Sequence, residues 1–162
     1  MSPSTATDLD PLALERQVCF ALAVANRAVL GVYRPLLEPL GLTHPQYLVM
    51  LALWDHRKRS ATEAPLSVKQ IATALHLDSA TLSPMLKRLE TLGLITRTRS
   101  TVDERSMNVE LTEAGVALRE RALAIPPAVV ARLGGDLAEL EDLHRSLTRI
   151  NAAAQAAGAL DL

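Results

Sequence analysis

Cys19 is the one cysteine in 162 residues, and it lies in an otherwise aliphatic run, QVCFALAVANRAVL. A thiol attacks or oxidises as its thiolate, so a reactive cysteine needs access and a partner for negative charge. Arg16 stands about one helical turn earlier as a positive neighbour in sequence. Tyr33 and Tyr47, the two tyrosines, each carry one O–H able to donate to a thiolate. A packed structural cysteine is the bland alternative, since free cysteine is among the most buried residue types. Oxidation would begin with sulfenic acid. With no second cysteine position to resolve it, the next product is a mixed disulfide with a small thiol, or overoxidation.

A second constellation lies downstream. In the helical run 79–92, Leu82, Met85, Leu86, Leu89 and Leu92 mark an apolar face, and Ser79, Ser83, Lys87 and Glu90 mark the other. A DNA major groove admits one helix and is read by polar side chains on its exposed face. Ser79, Thr81, Ser83 and Lys87 suit that role, and Arg88 is placed for a phosphate. Pro84 breaks a local rule, because it removes a backbone bond to the carbonyl of Ala80. Residues 94–111 then read as a hairpin with Arg97, Arg99 and Arg105 near one tip. Arginine fits a narrow minor groove. Asp103, two residues before Arg105, is expected to orient its guanidinium across a tight turn. Residues 87–105 hold five basic and three acidic groups, a modest excess that suits two half-sites better than a lone monomer. A solvated charged hairpin used for protein contacts is the competing reading.

These groups need elements to hold them. Asp10-Pro11 reads as a cap and first turn of a long helix reaching about residues 31–33, which puts Cys19 about two turns in, too deep for the helix dipole to matter much. Pro35, Pro39 and Gly41 bend the following connection. Thr43 with Gln46, and Ser67 with Gln70, are capping boxes that start two further helices; Leu42 with Tyr47, and Leu66 with Ile71, occupy the staple positions. His76-Leu77-Asp78 is a tight turn, and Gly93 ends the next helix. Met107, Val109 and Leu111 alternate as a return strand. Thr112 caps a fifth helix ending before Pro126-Pro127, and one long Ala/Leu-rich helix is expected to fill the remainder to about Ala157. That helix has more apolar surface than a small domain buries, so a partner subunit is its simplest cover.

The result is a mainly α chain with a small β-hairpin wing: a winged helix-turn-helix flanked by N- and C-terminal dimerisation helices. One domain is expected over 1–162, with a DNA-binding core at about 43–112 and dimerisation helices at about 10–40 and 113–158. Residues 1–9 read as a disordered arm. Net charge is -1, so DNA binding must come from local charge. His44, His56, His76 and His144 form no close-spaced metal pair, and no cofactor motif stands out. The N-terminus lacks a signal pattern and no run of about 18 apolar residues is expected to span a membrane, which points to the cytoplasm.

The segment LDSATLSPMLKRLETLGLITRTRSTVDERSMNVELTEAG resembles the MarR family of dimeric winged-helix repressors, with DER, a strand and LTEAG as the wing pattern. LERQVCFALAVANRAV and YRPLLEPLGLTHPQYLVMLALWD are similar to its organic-hydroperoxide-sensing (OhrR-like) branch, one-cysteine type. The resemblance spans roughly residues 12–125. It implies a homodimer on a pseudo-palindromic double-stranded operator, released when Cys19 is oxidised. It implies that Tyr33 hydrogen-bonds that cysteine across the dimer. The branch's second such tyrosine falls at His44, while Tyr47 matches another tyrosine of the PQY segment. Imidazole can replace the donor and, if protonated, favour the thiolate. The change also gives weight to an alternative, a MarR-type repressor relieved by a reversible phenolic ligand with Cys19 structural. A third reading, a peroxide-consuming thiol enzyme, lacks a resolving cysteine and leaves the wing unexplained; no triad or paired carboxylates stand out, so the chain reads as non-enzymatic.

Overall fold

A computed structural model describes residues 10–59 and 64–159; the expected arm at 1–9 and part of the loop after Arg59 lie outside the described residues. Seven α-helices and one three-stranded antiparallel sheet are described. The helices are α1 (Val18–Leu37), α2 (His44–Arg59), α3 (Val68–Ala74), α4 (Ser79–Thr91), α5 (Glu113–Ala122), α6 (Ile125–Leu133) and α7 (Leu137–Ala156). The strands are β1 (Leu66–Ser67), β2 (Ile95–Arg99) and β3 (Met107–Leu111), in the order β1-β3-β2. Mainly helical with a small wing is therefore the observed class. The short β1, pairing Leu66 with Val109, went unread in the sequence because its two residues double as the staple and cap of α3.

Both capping boxes form. Thr43 N–H donates to Gln46 Oε1 at 3.0 Å and Gln46 N–H to Thr43 Oγ1 at 3.4 Å. Ser67 N–H donates to Gln70 Oε1 at 2.8 Å, with the reciprocal bond at 3.1 Å. Each satisfies two backbone donors that a helix start leaves orphaned. The core they frame joins Leu42, Tyr47, Val49, Met50, Leu53 and Trp54 to Ile71, to Leu82, Leu86 and Leu89 of α4, and to Ile95 and Val109 of the wing. Leu92 departs from the expected apolar face of α4: it is the C-cap residue and half exposed.

Three expectations about the flanking helices change. The chain from Asp10 does not enter a helix directly. Asp10 Oδ1 accepts from Leu12 N–H, a 3-10 turn covers Leu14–Arg16, and the Gln17 amide reaches back to the Pro11 carbonyl at 2.7 Å. These local side-chain bonds compete with the helix and delay it to Val18. At the other end α1 runs through Pro35 to Leu37, and Gly41 then takes the left-handed φ of 70°. Val18–Leu40 is consequently 23 residues long and apolar enough by composition to cross a bilayer, against the sequence expectation, though it carries Arg27 and Arg34 and packs on α6.

The C-terminal helix is two helices. Gly134, at φ 67°, closes α6, and Asp136 with Glu139 forms a third capping box that starts α7. No residue of α7 is buried, and in α1 only Leu37 is. Leu140, Leu143, Leu147, Ile150 and Ala154 follow the 3-4-3-4 spacing of a helix seam.

Candidate nucleic-acid interface and sensor cluster

α4 is held by its caps and by one apolar face. Asp78 Oδ1 accepts from Thr81 N–H at 2.6 Å, and that bond holds the Asp78 carboxyl below the ordinary aspartate range. The turn before it needs His76 at φ 54°, a left-handed conformation uncommon outside glycine. Leu82, Leu86 and Leu89 are fully buried. The side chains left outside are Ser79, Thr81, Ser83, Pro84, Lys87 and Arg88, all exposed. Pro84 stays within the helix, whose later turns close normally through Leu92 N–H to the Arg88 carbonyl.

The wing differs from its sequence reading at two points. Arg97 does not reach the tip. In the β2–β3 register Arg97 stands opposite Val109, and Ile95 opposite Leu111. Directly opposed residues share a face, so Arg97 emerges on the core-facing side with Ile95 and Val109, each 1% exposed. It turns to Glu90 of α4, whose two carboxylate oxygens accept from Arg97 Nε at 3.3 Å, Arg97 Nη2 at 3.2 Å and the Arg97 backbone N–H at 3.2 Å. These bonds hold the Glu90 carboxyl below the usual glutamate range. Asp103 also acts otherwise than expected: its carboxylate accepts from the backbone N–H of Arg105 at 3.0 Å and shapes the turn, with no bond to the guanidinium. Arg99 Nη1 donates to the Glu104 carbonyl at 3.4 Å, and Arg99 and Arg105 remain exposed. The exposed charges left are Lys87, Arg88, Arg99 and Arg105, against Asp103 and Glu104.

The wing is fixed to the body at Thr112. Its hydroxyl donates to the Gly93 carbonyl at 2.6 Å and accepts from Gly115 N–H at 3.1 Å, while its N–H donates to the Leu94 carbonyl at 3.0 Å. The Gly115 carbonyl in turn accepts from the Trp54 indole N–H at 2.9 Å. Sequence reading found Thr112 as a cap but not this junction, which joins residues up to 61 positions apart.

Cys19 is the second residue of α1 and is exposed in the single chain. The expectation of two turns' depth is corrected, because the helix starts late. Its turn is the one whose backbone N–H groups lack intrahelical acceptors and which favours negative charge. Half-buried Tyr33 and His44 form one cluster with Tyr47, which is buried in the core. Ring centroids lie 4.8 Å apart for Tyr33–His44, 5.9 Å for Tyr33–Tyr47 and 6.5 Å for His44–Tyr47. Burial pushes both phenol pKa values up, with Tyr33 adding to the effect on Tyr47, and pushes the His44 imidazole down. The tyrosines therefore stay O–H donors, and His44 favours its neutral form, against the idea of a protonated imidazole. Cys19 is not in this cluster. Tyr33 follows it by fourteen residues on the same helix, about 21 Å along the axis at 1.5 Å per residue. A separate cleft of about 590 Å³ opens between the start of α2 and α4, walled by Thr43, Gln46, Lys87 and Arg88 among others.

A family model described as transcriptional regulator SarA/Rot matches residues 31–121. The chain is 45% identical over 135 residues to the organic hydroperoxide resistance transcriptional regulator of Bacillus subtilis (strain 168), covering 82% of this chain and 87% of that one. It is similar to the structure of reduced AbfR bound to DNA, a Staphylococcus epidermidis protein, with TM-score 0.72 and 31% identity over 88% of this chain and 92% of that one. CouR from Rhodococcus jostii RHA1, solved bound to p-coumaroyl-CoA, gives TM-score 0.70 and 25% identity over 86% and 94% of the two chains.

Proposed function

For a chain that belongs to the SarA/Rot/MarR family of winged-helix, DNA-binding transcriptional regulators, which are not enzymes, we propose the role of a homodimeric repressor that leaves its operator when organic hydroperoxide oxidises Cys19. The observation that carries this reading is the place of Cys19. It is a lone, exposed cysteine in the first turn of a helix whose N-terminal half leaves Val18, Phe20, Leu22 and Val24 exposed among the described residues. The 45% identity to a regulator named for organic hydroperoxide resistance supports the choice of oxidant.

Val18, Phe20, Leu22 and Val24 of α1, with Leu137, Leu143 and Ile150 of α7, stay more than a third exposed. A second copy covering both helices makes 10–40 and 113–158 the dimerisation parts around a 43–112 DNA-binding core. Within one chain Tyr33 is about 21 Å from Cys19 along α1. Across a two-fold axis the end of one α1 lies beside the start of the other, and Tyr33 with His44 and Tyr47 can then supply donors to the partner's thiolate. Ser79, Thr81, Ser83, Pro84, Lys87 and Arg88 face a major groove of double-stranded, pseudo-palindromic DNA, and Arg99 and Arg105 an adjoining minor groove. The work is cytoplasmic, where the thiol stays reduced until challenged.

In the chemical step the thiolate attacks one peroxide oxygen. The O–O bond breaks, an S–O bond forms, sulfur loses two electrons, and the departing alkoxide takes a proton to become an alcohol. A small thiol then displaces water from the sulfenic acid and forms a mixed disulfide. A bulkier sulfur group in a packed interface forces repacking, and the two recognition helices lose the separation of about one DNA turn that two half-sites require.

The 590 Å³ cleft beside Lys87 and Arg88 favours a second reading, relief by a reversible phenolic ligand with Cys19 merely packed. One experiment separates the two. A duplex is selected from a randomised pool by the reduced protein, and its binding to wild type and Cys19→Ser is followed during titration with cumene hydroperoxide plus a small thiol, with intact mass on the same samples. Release by wild type alone, in step with a cysteine adduct, is expected. Full oxidation of Cys19 with unchanged affinity refutes the redox switch.

A further inference from the structure

Arg97 looks in sequence like a third groove-reading arginine, yet all its donors that form bonds go to Glu90. We infer that Glu90 and Arg97 form an internal clamp that sets the wing against the recognition helix, making Arg97 a positioning residue for DNA discrimination and not a DNA contact. The inference rests on α4 and the wing being the DNA-reading elements.

Three features carry it. Arg97 lies on the inner face of β2, opposite buried Val109, so its stem runs along the core before its head emerges. Its side chain is only 25% exposed. Both carboxylate oxygens of Glu90 are engaged, and one receives the strand's backbone N–H as well as the guanidinium, so the pair fixes a strand position as well as a side chain. A bidentate arginine–carboxylate pair adds geometric specificity beyond its charge. Glu90 sits one turn after Lys87 and Leu86, and seven residues before Arg97. The clamp therefore spans the Gly93 turn, which the Thr112 junction fastens to the body from the other side. Helix and wing must enter two grooves together, so the angle between them is part of the recognition surface.

The test uses the full chain, the selected duplex and a scrambled duplex of equal length, each measured over a range of KCl. Every phosphate contact adds about 0.9 to the slope of log K against log salt. Arg97→Ala and Glu90→Ala are each expected to narrow the selected-to-scrambled ratio about tenfold with the slope unchanged, and the double variant to cost no more than either single. Arg97→Lys, which keeps the charge and loses the fork, should fall with Arg97→Ala. A slope lowered by about 1 per subunit in Arg97→Ala, with Arg97→Lys near wild type and Glu90→Ala silent, overturns the clamp. Arg105→Ala serves as the reference for a groove-facing arginine. If that variant leaves slope and affinity untouched, the placement of the wing on DNA fails, whatever the Arg97 and Glu90 variants do. Retained helical circular dichroism in Glu90→Ala, where alanine suits a helix, keeps misfolding from imitating the effect.

Discussion

Gly115→Ala should destabilise the protein even though alanine is the better helix former. Gly115 is the third residue of α5, buried where the helix passes the start of the wing. A Cβ there would overlap the Leu94 carbonyl oxygen and lie 3.1 Å from the carbonyl carbon and 3.2 Å from Leu111 Cδ2. The obstacle is backbone, and the same oxygen accepts the Thr112 N–H bond of 3.0 Å. Overpacking costs about 1–3 kcal/mol, and a strained or lost hydrogen bond about 1 kcal/mol more. Replacing glycine within a helix returns about 1 kcal/mol. The net loss is about 2 kcal/mol, or about 4–8 °C in Tm for a chain of this size. Thermal unfolding followed by circular dichroism, at one fixed protein concentration, measures it. Ala117→Gly, at an exposed site on the same helix, calibrates the propensity term and should lose about 1 kcal/mol. A Gly115→Ala melting point at or above wild type refutes the packing argument, because propensity alone would then set the sign.

Asp78→Ala removes the cap of α4 and should lower the urea midpoint at pH 7. Because the folded state lowers this carboxyl's pKa, its contribution is present above the unfolded value of about 3.9 and lost as pH falls through the folded value; the wild-type and variant curves should therefore converge in acid. Leu143→Glu with Ile150→Glu should split the dimer: four half-exposed side chains per dimer give up about 1 kcal/mol each, about a thousandfold in Kd by sedimentation. His44→Tyr should flatten the fall in stability below about pH 6.5, since a half-buried imidazole whose pKa is lowered binds fewer protons folded than unfolded. An unchanged acid limb would mean that His44 titrates alike in both states.

The parts legible in sequence were those governed by neighbours along the chain. Thr43 with Gln46 and Ser67 with Gln70 announce helix starts because both bonds close within four residues. The wing was legible because Met107, Val109 and Leu111 alternate against polar neighbours. Three of the failures have equally local causes. The late start of α1 follows from Gln17 bonding back to Pro11, a competition that helical periodicity does not register. The break before α7 was written in Gly134, Gly135 and Asp136, but Ala/Leu continuity on both sides hid it. Sequence puts Asp103 beside the Arg105 guanidinium, but the nearer backbone N–H of Arg105 takes the carboxylate first. Trp54 and Gly115 had no signal at all, because nothing in either segment names a partner 61 residues away.

Arg97 shows why the remainder needs register as well as composition. Alternation puts Arg97 and Arg99 on one side of β2, and charge suggests that side faces water. The opposite strand decides otherwise. Ile95 is paired with Leu111 and Arg97 with Val109, so the arginines continue the core face outward along the wing. Near the body the face is closed, and Arg97 must find an anion within reach, which Glu90 supplies. Two residues further on the core has ended, and Arg99, opposite half-buried Met107, is exposed. One strand face thus carries an apolar residue, an internally paired arginine and an exposed arginine in succession. The distance of each from the core, more than its charge, decides which of them can meet a phosphate.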